Sequence, residues 1–292
     1  MNSALTFSNL PTTISLIAET TSMQLTEQQK YFFDTFGYLI FLGLVKDQIE
    51  TMIAEFRAVF DDKGIAHDAT KRTCMVPFID QREKLCSLLD NPDILAIASG
   101  LLGKQFNYMG SDGNYYTGDT SWHSDGYHTV GKFAKIAFYL DPVTRETVAL
   151  RVIPGSHRLE HSEWLARKAV DSQNLWGINQ NQVPSVALES QPGDVVVFNH
   201  NLMHAAFGGN SQRRMFTINL SRHAETPEEI EELKNYIAAN ARFWIDHMYS
   251  DMMVQTADTE RKRHLQQVIE NEDHLPALAA KARQEMTEPS RG

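Results

Sequence analysis

Short apolar runs broken by Gly, Pro, Asn and Asp fill the middle of the chain, while stretches with apolar residues every three or four positions flank it on both sides. The two patterns predict different elements, because side chains alternate across a strand whereas residues three and four apart share one face of a helix. The opening segment, residues 1–25, is rich in Ser and Thr without a sustained period and predicts an extended N-terminal arm. Thr26, with Gln29 three residues later, forms a capping-box signal for a helix through QQKYFFDTF that stops at Gly37. YLIFLGLV predicts a strand, and Ile49, Ile53, Phe56 and Phe60 then predict a packing helix. Two more helices are expected through REKLCSLLD and PDILAIASGLLG, the second opened by Pro92 and closed by Gly103.

From residue 105 to about 222 the predicted strands are FNYMGSDGNYYTG, FAKIAFYLDPV, VALRVIP, SVALES, DVVVFN, LMHAAFGG and RMFTINLS. Several short strands at close spacing predict a sandwich or jelly-roll, interrupted by the helical insertion EHSEWLARKAVD. After Thr226, Pro227 and a run of glutamates open a helical tail that runs to about Gln284. Its residues Phe243, Trp244, Met248, Tyr249, Met252 and Met253 predict a cover over the β core, or one wall of a substrate cavity. The expected layout is one domain over 1–292: the arm, a helical flank with an entry strand over 26–104, the β core over 105–222 and the helical cover over 223–292.

Composition narrows the function classes. A net charge of −10, from 27 Lys plus Arg against 37 Asp plus Glu, argues against a nucleic-acid binder. The two cysteines, Cys74 and Cys86, form no C-x-x-C pair, no signal-peptide-like start is seen, and no run of about 18 apolar residues occurs. The expectation is a cytoplasmic protein with no membrane partner; the sequence sets no oligomeric state.

The chemistry concentrates in WHSDG, Trp122 to Gly126. In a strand, residues i and i+2 project to the same face, so the imidazole of His123 and the carboxylate of Asp125 can meet one metal ion. A His and a carboxylate suit iron(II), and a second His would complete a facial set with open positions. The candidate is His204, 81 residues beyond His123, in a strand-turn-strand run that continues to Arg213 and Arg214.

Four separated pieces then resemble, in order, the phytanoyl-CoA dioxygenase family of iron/2-oxoglutarate oxygenases: FFDTFGYLIF, WHSDG, VIPGSH at Val152 to His157, and the block from Pro192 to Arg214. The resemblance covers about residues 26–222 and implies a mainly β fold with flanking helices around a double-stranded β-helix, the cupin-like jelly-roll. It further implies a dioxygenase that uses Fe(II), 2-oxoglutarate and O2 to hydroxylate or otherwise oxidise a small metabolite, with a biosynthetic role and release of succinate and CO2. By this likeness His123, Asp125 and His204 hold the metal, Arg213 (or Arg214, on the opposite strand face) holds the far carboxylate of 2-oxoglutarate, and Asn114 helps hold its other end. Tyr116 shares a strand face with Asn114, His128 lies in the loop after the metal motif, and Trp122 opens that motif; these three are candidate substrate contacts. Two departures touch the substrate side: Ser124 stands where relatives usually carry Gln, and ETVALRV where they carry a Gly-rich bend. Asp125 itself argues against the halogenating members of the wider group, which replace that carboxylate by a small residue. The alternative from another class is a metal-binding cupin that acts as a sensor or structural module without turnover.

Overall fold

The computed structural model describes residues 23–209 and 213–291, so most of the expected N-terminal arm lies outside the described residues. The chain enters through α1 (Glu27–Phe36), whose Thr26 cap and Gln29 make the expected reciprocal capping box, and turns at Gly37 in the left-handed region, φ 86°. β1 (Tyr38–Phe41) follows, then α2 (Ile49–Asp62), β2 (Thr73–Met75), α3 (Glu83–Cys86) and α4 (Pro92–Leu102). The strand expected over YLIFLGLV is limited to its first four residues, because Gly43 takes φ 64° and ends the extension.

The β core comprises β3 (Phe106–Tyr116), β4 (Thr120–His123), β5 (Phe133–Tyr139), β6 (Leu150–Val152), β7 (Val186–Leu188), β8 (Val195–Asn199), β9 (His204–Ala206) and β10 (Arg213–Arg222). The insertion between β6 and β7 carries α5 (Leu159–Val170) and α6 (Ser172–Trp176). Six strands form one antiparallel sheet in the order β1-β8-β5-β10-β3-β2, and four form the other in the order β4-β9-β6-β7. This is the jelly-roll architecture that the run of short strands predicts.

Period-two alternation explains how the large sheet serves two purposes. Ile136 and Phe138 of β5, Val195 and Val197 of β8, and Phe216, Ile218 and Leu220 of β10 point outward into the main apolar core under the helices. Their sequence neighbours Ala137, Tyr139, Val196, Phe198 and Met215 point inward, between the two sheets. The outer face of the small sheet is covered by a third cluster in which Trp122, Met203, Ala205 and Phe207 meet Ala169 of α5.

The tail begins as expected with α7 (Pro227–Ala239), which carries a Thr226/Glu229 capping box, but it is not one long helix. It breaks at Asn240–Phe243, Trp244 adopts φ 61°, and α8 (Asp251–Gln255), α9 (Thr259–Ile269) and α10 (Leu275–Glu285) follow as separate helices. Of the aromatic and Met residues expected here, Met248, Tyr249 and Met253 pack in the core, Met252 is exposed, and Phe243 borders the cavity between the sheets. α9 closes on β3, where His264 stacks on Phe106 and donates from Nδ1 to the Phe106 carbonyl, and Gln267 Oε1 accepts from Asn107 Nδ2. Beneath it, the fully buried Asp80 accepts from Tyr108 Oη at 2.6 Å and from the Ser250 amide. Cys74 and Cys86 are free thiols, and among the described residues no single helix is long and apolar enough to cross a membrane.

Candidate metal centre and active-site cavity

Between the sheets lies a cavity of about 630 Å³, a volume suited to a small organic molecule together with a small co-substrate. The small sheet supplies one wall. β4 and β9 are antiparallel neighbours, and His123 and His204 are direct cross-strand partners. Directly opposed side chains on one sheet face stand about 5 Å apart at Cβ. Register therefore brings together two imidazoles that are 81 positions apart in the chain, and their ring centroids lie 4.2 Å from each other.

Asp125 lies just beyond β4, held by its own amide and that of Gly126, which both donate to the His200 carbonyl at 2.9 and 3.2 Å. Its Oδ2 comes within 3.7 Å of His204 Nε2, and one ligand atom from each of His123, Asp125 and His204 lies within 4.8 Å of the others. Each histidine is oriented by its other nitrogen: His123 Nδ1 meets the Ser121 carbonyl and His204 Nδ1 the Leu202 carbonyl, both at 2.8 Å. A carbonyl only accepts, so Nδ1 carries the proton in each ring and Nε2 presents its lone pair. Burial pushes the pKa of His204 down to about 4, which keeps it neutral and able to ligate. Burial alone would raise the pKa of Asp125, but Lys135 and the surrounding imidazoles outweigh it and keep the carboxylate ionised. Two imidazoles and one carboxylate, converging from paired strands and the bend beside them, fit a divalent transition metal such as iron(II).

The large sheet supplies the opposite wall. Arg213 is buried and points inward, its guanidinium 4.4 Å above the Tyr116 ring and 6.0 Å from that of Tyr139. Its Nη1 donates to the Val148 carbonyl at 2.5 Å, and its Nε has no partner. Arg214, one residue on, points away from the cavity and forms a two-pronged pair with Asp141, which removes it as the inward-facing alternative. Asn114 is also not on the cavity wall: its Oδ1 accepts from Arg72 Nε at 2.8 Å and its Nδ2 donates to Asp112. Its expected contact with a co-substrate is thus replaced by bracing Arg72 and Asp112, which do line the cavity.

Of the three candidate substrate contacts, Tyr116 lines the cavity. Trp122 borders it but is mostly committed to the cluster beneath the small sheet, with its indole N–H donating to the Gln180 carbonyl. His128 stays outside the lining, stacked on Phe133 at 3.6 Å in a loop fixed by Asn201 and Glu232. Conversely, the sequence reading missed Lys135, His200, Asp112, Asn219 and Tyr236, all on the cavity wall. His200, in the turn after β8, is buried, and neither ring nitrogen has a partner.

An antiparallel jelly-roll with a His-x-Asp pair and a distal His around an inter-sheet cavity defines the class of cupin-like metal-dependent oxygenases. The phytanoyl-CoA dioxygenase (PhyH) family model matches residues 33–216, well over half of the chain, and the chain belongs to that family. No curated protein matches the sequence. Among solved structures, the non-heme alpha-ketoglutarate-dependent carbocyclase SnoK from nogalamycin biosynthesis is 21% identical, with 70% of this chain and 87% of SnoK covered at a TM-score of 0.55. HygX from Streptomyces hygroscopicus, solved with nickel and 2-oxoglutarate, is 17% identical over 70% of this chain and 90% of its own, with a TM-score of 0.56. EctD from S. alaskensis, solved with bound Fe, is 22% identical over 74% of this chain and 84% of its own, with a TM-score of 0.54. At these identities the likeness shows a shared fold.

Proposed function

We propose that this dioxygenase uses Fe(II) and 2-oxoglutarate to hydroxylate, or otherwise oxidise, a small organic metabolite in a biosynthetic setting. The observation that carries this reading is the meeting of His123, Asp125 and His204 in the same cavity as one buried inward arginine, Arg213. His123 and His204 would hold the iron through Nε2 and Asp125 through a carboxylate oxygen, a three-residue set that would leave further positions for co-substrate and oxygen. When bound, the iron and 2-oxoglutarate supply the oxidising chemistry, with succinate and CO2 as by-products.

The protein's own part is orientation and exclusion of water. Arg213 offers two parallel N–H donors to a carboxylate in a partly dry pocket, with Tyr116 and Tyr139 flanking it. Tyr236, Asn240 and Phe243 close the cavity from the helical tail. The test is succinate release from 2-oxoglutarate under Fe(II) and ascorbate, compared between the wild type and His204→Ala. The expectation is turnover in the wild type, with both turnover and Mn(II) affinity lost in the variant. A wild-type protein that binds metal but never consumes 2-oxoglutarate would overturn the proposal in favour of a non-catalytic metal-binding module.

A further inference from the structure

Arg213 and Lys135 mark opposite ends of the inward face of the large sheet. Lys135 pairs across strands with Asn219, which is six residues beyond Arg213 on β10, or roughly 20 Å along the strand. A lysine inside a β core is rare unless paired. Lys135 is paired, with Nζ 3.0 Å from Asp125 Oδ2, the same oxygen that faces His204 Nε2. A metal ion held by the triad would share that carboxylate, leaving Lys135 with only part of its counter-charge.

The charges of the cavity wall sharpen the point. Its buried or half-buried cations are Arg72, Lys135 and Arg213, and its carboxylates are Asp112 and Asp125. Asp112 is already engaged by Arg72 and by the hydroxyl of Thr217. With a divalent metal and a dianionic co-substrate in place, these groups leave one positive charge without a partner, and an uncompensated charge in such a site is costly. Around Lys135 there is also unused hydrogen-bonding capacity: both ring nitrogens of His200 and Oδ1 of Asn219 are buried without partners, and both residues line the cavity.

On these grounds we propose that the substrate is a small organic monoanion whose carboxylate, or comparable anionic group, is held by Lys135 at the end of the cavity remote from Arg213. His200 and Asn219 hydrogen-bond its polar substituents, and Asn219 Oδ1, as an acceptor, selects a substrate that carries an N–H or O–H donor. This inference rests on the function proposed above and names the substrate class for the same site.

The test uses full-length protein loaded with Mn(II) and 2-oxoglutarate, in the wild type and in Lys135→Met, which keeps an unbranched apolar stem, one atom shorter, and removes the charge. A library of small carboxylic acids (benzoate, phenylacetate, hydroxy acids and N-acylated amino acids), each paired with its methyl ester, is screened by thermal shift, and hits are titrated calorimetrically. The expected result is that acids bind the wild type, their esters do not, and the best acid loses about tenfold or more in affinity in Lys135→Met. Mn(II) affinity should hold or rise in the variant, because an ammonium group no longer competes for Asp125. If no acid favours the wild type over the variant, or if esters bind as well as acids, the inference is overturned and Lys135 only orients Asp125. Failure of wild-type protein to bind 2-oxoglutarate at all would instead sink the underlying function.

Discussion

Replacing Arg213 by Met and Arg214 by Ala separates two neighbouring cations that face opposite ways. Arg213 is buried, and a carboxylate bound to it would be a charge-assisted contact largely screened from water. Truncating one partner of such a pair costs about 2–4 kcal/mol, equivalent to roughly 30- to 700-fold in Kd for 2-oxoglutarate. Arg214 pairs with Asp141, whose side chain is 31% exposed, and pairs at that level of exposure are worth about 0–1 kcal/mol of stability. Because Arg214 points away from the cavity, its removal should shift 2-oxoglutarate affinity by less than about fivefold. Isothermal titration of 2-oxoglutarate into Mn(II)-loaded protein measures both effects, with a thermal melt as a check on folding, since Arg213 also caps the Val148 carbonyl. Equal losses in the two variants, or a loss only in Arg214→Ala, would refute the assignment of Arg213 as the co-substrate arginine.

Two further outcomes follow from the core. Burial raises the pKa of Asp80 to about 6, against the hydrogen bonds from Tyr108 and Ser250, from an ordinary value of 3.8. Because the folded-state pKa is the higher one, the native chain binds the proton more tightly and stability falls as pH rises between about 4 and 6; urea unfolding should show the wild type losing about 3 kcal/mol relative to Asp80→Asn over that interval, and a constant difference would contradict it. An added Cβ at Gly113 would lie 2.0 Å from Phe78 Cδ2, and Phe78 is itself packed on Phe56, Phe60 and Phe216. Gly113→Ala should cost about 2–3 kcal/mol and lower Tm by several degrees in calorimetry, with part of the loss recovered when Phe78 is also changed to Leu.

The metal-binding candidates were legible because their signal is local. His123 and Asp125 are two apart, the side-chain period of a strand, although β4 ends at His123 and Asp125 is set by the bend that follows, its amide held by the His200 carbonyl. His204 was reachable by its place in a later strand, although only the pairing of β4 with β9 explains why it meets His123. The choice between Arg213 and Arg214 needed the register of β10 against β3 and β5, which no local pattern contains. Lys135 did leave a trace, as a lone cation in the apolar run FAKIAFY whose alternate residues Ile136 and Phe138 take the outer face. His200 left no signal, because turns are usually exposed and this one folds inward against Phe133. The tail was legible as helical to about Gln284, but its division into separate helices was not, because the turn at Asn240–Phe243 brings the chain to the cavity, a tertiary contact.

The pairing of His123 with His204 makes a bound metal a staple between β4 and β9. Sliding either strand by a single residue would send one imidazole to the far side of the sheet and dissolve the ligand set. Alignment of these two strands and affinity for the ion are thus one quantity viewed from two directions, and metal should slow hydrogen exchange most strongly at the amides that join them.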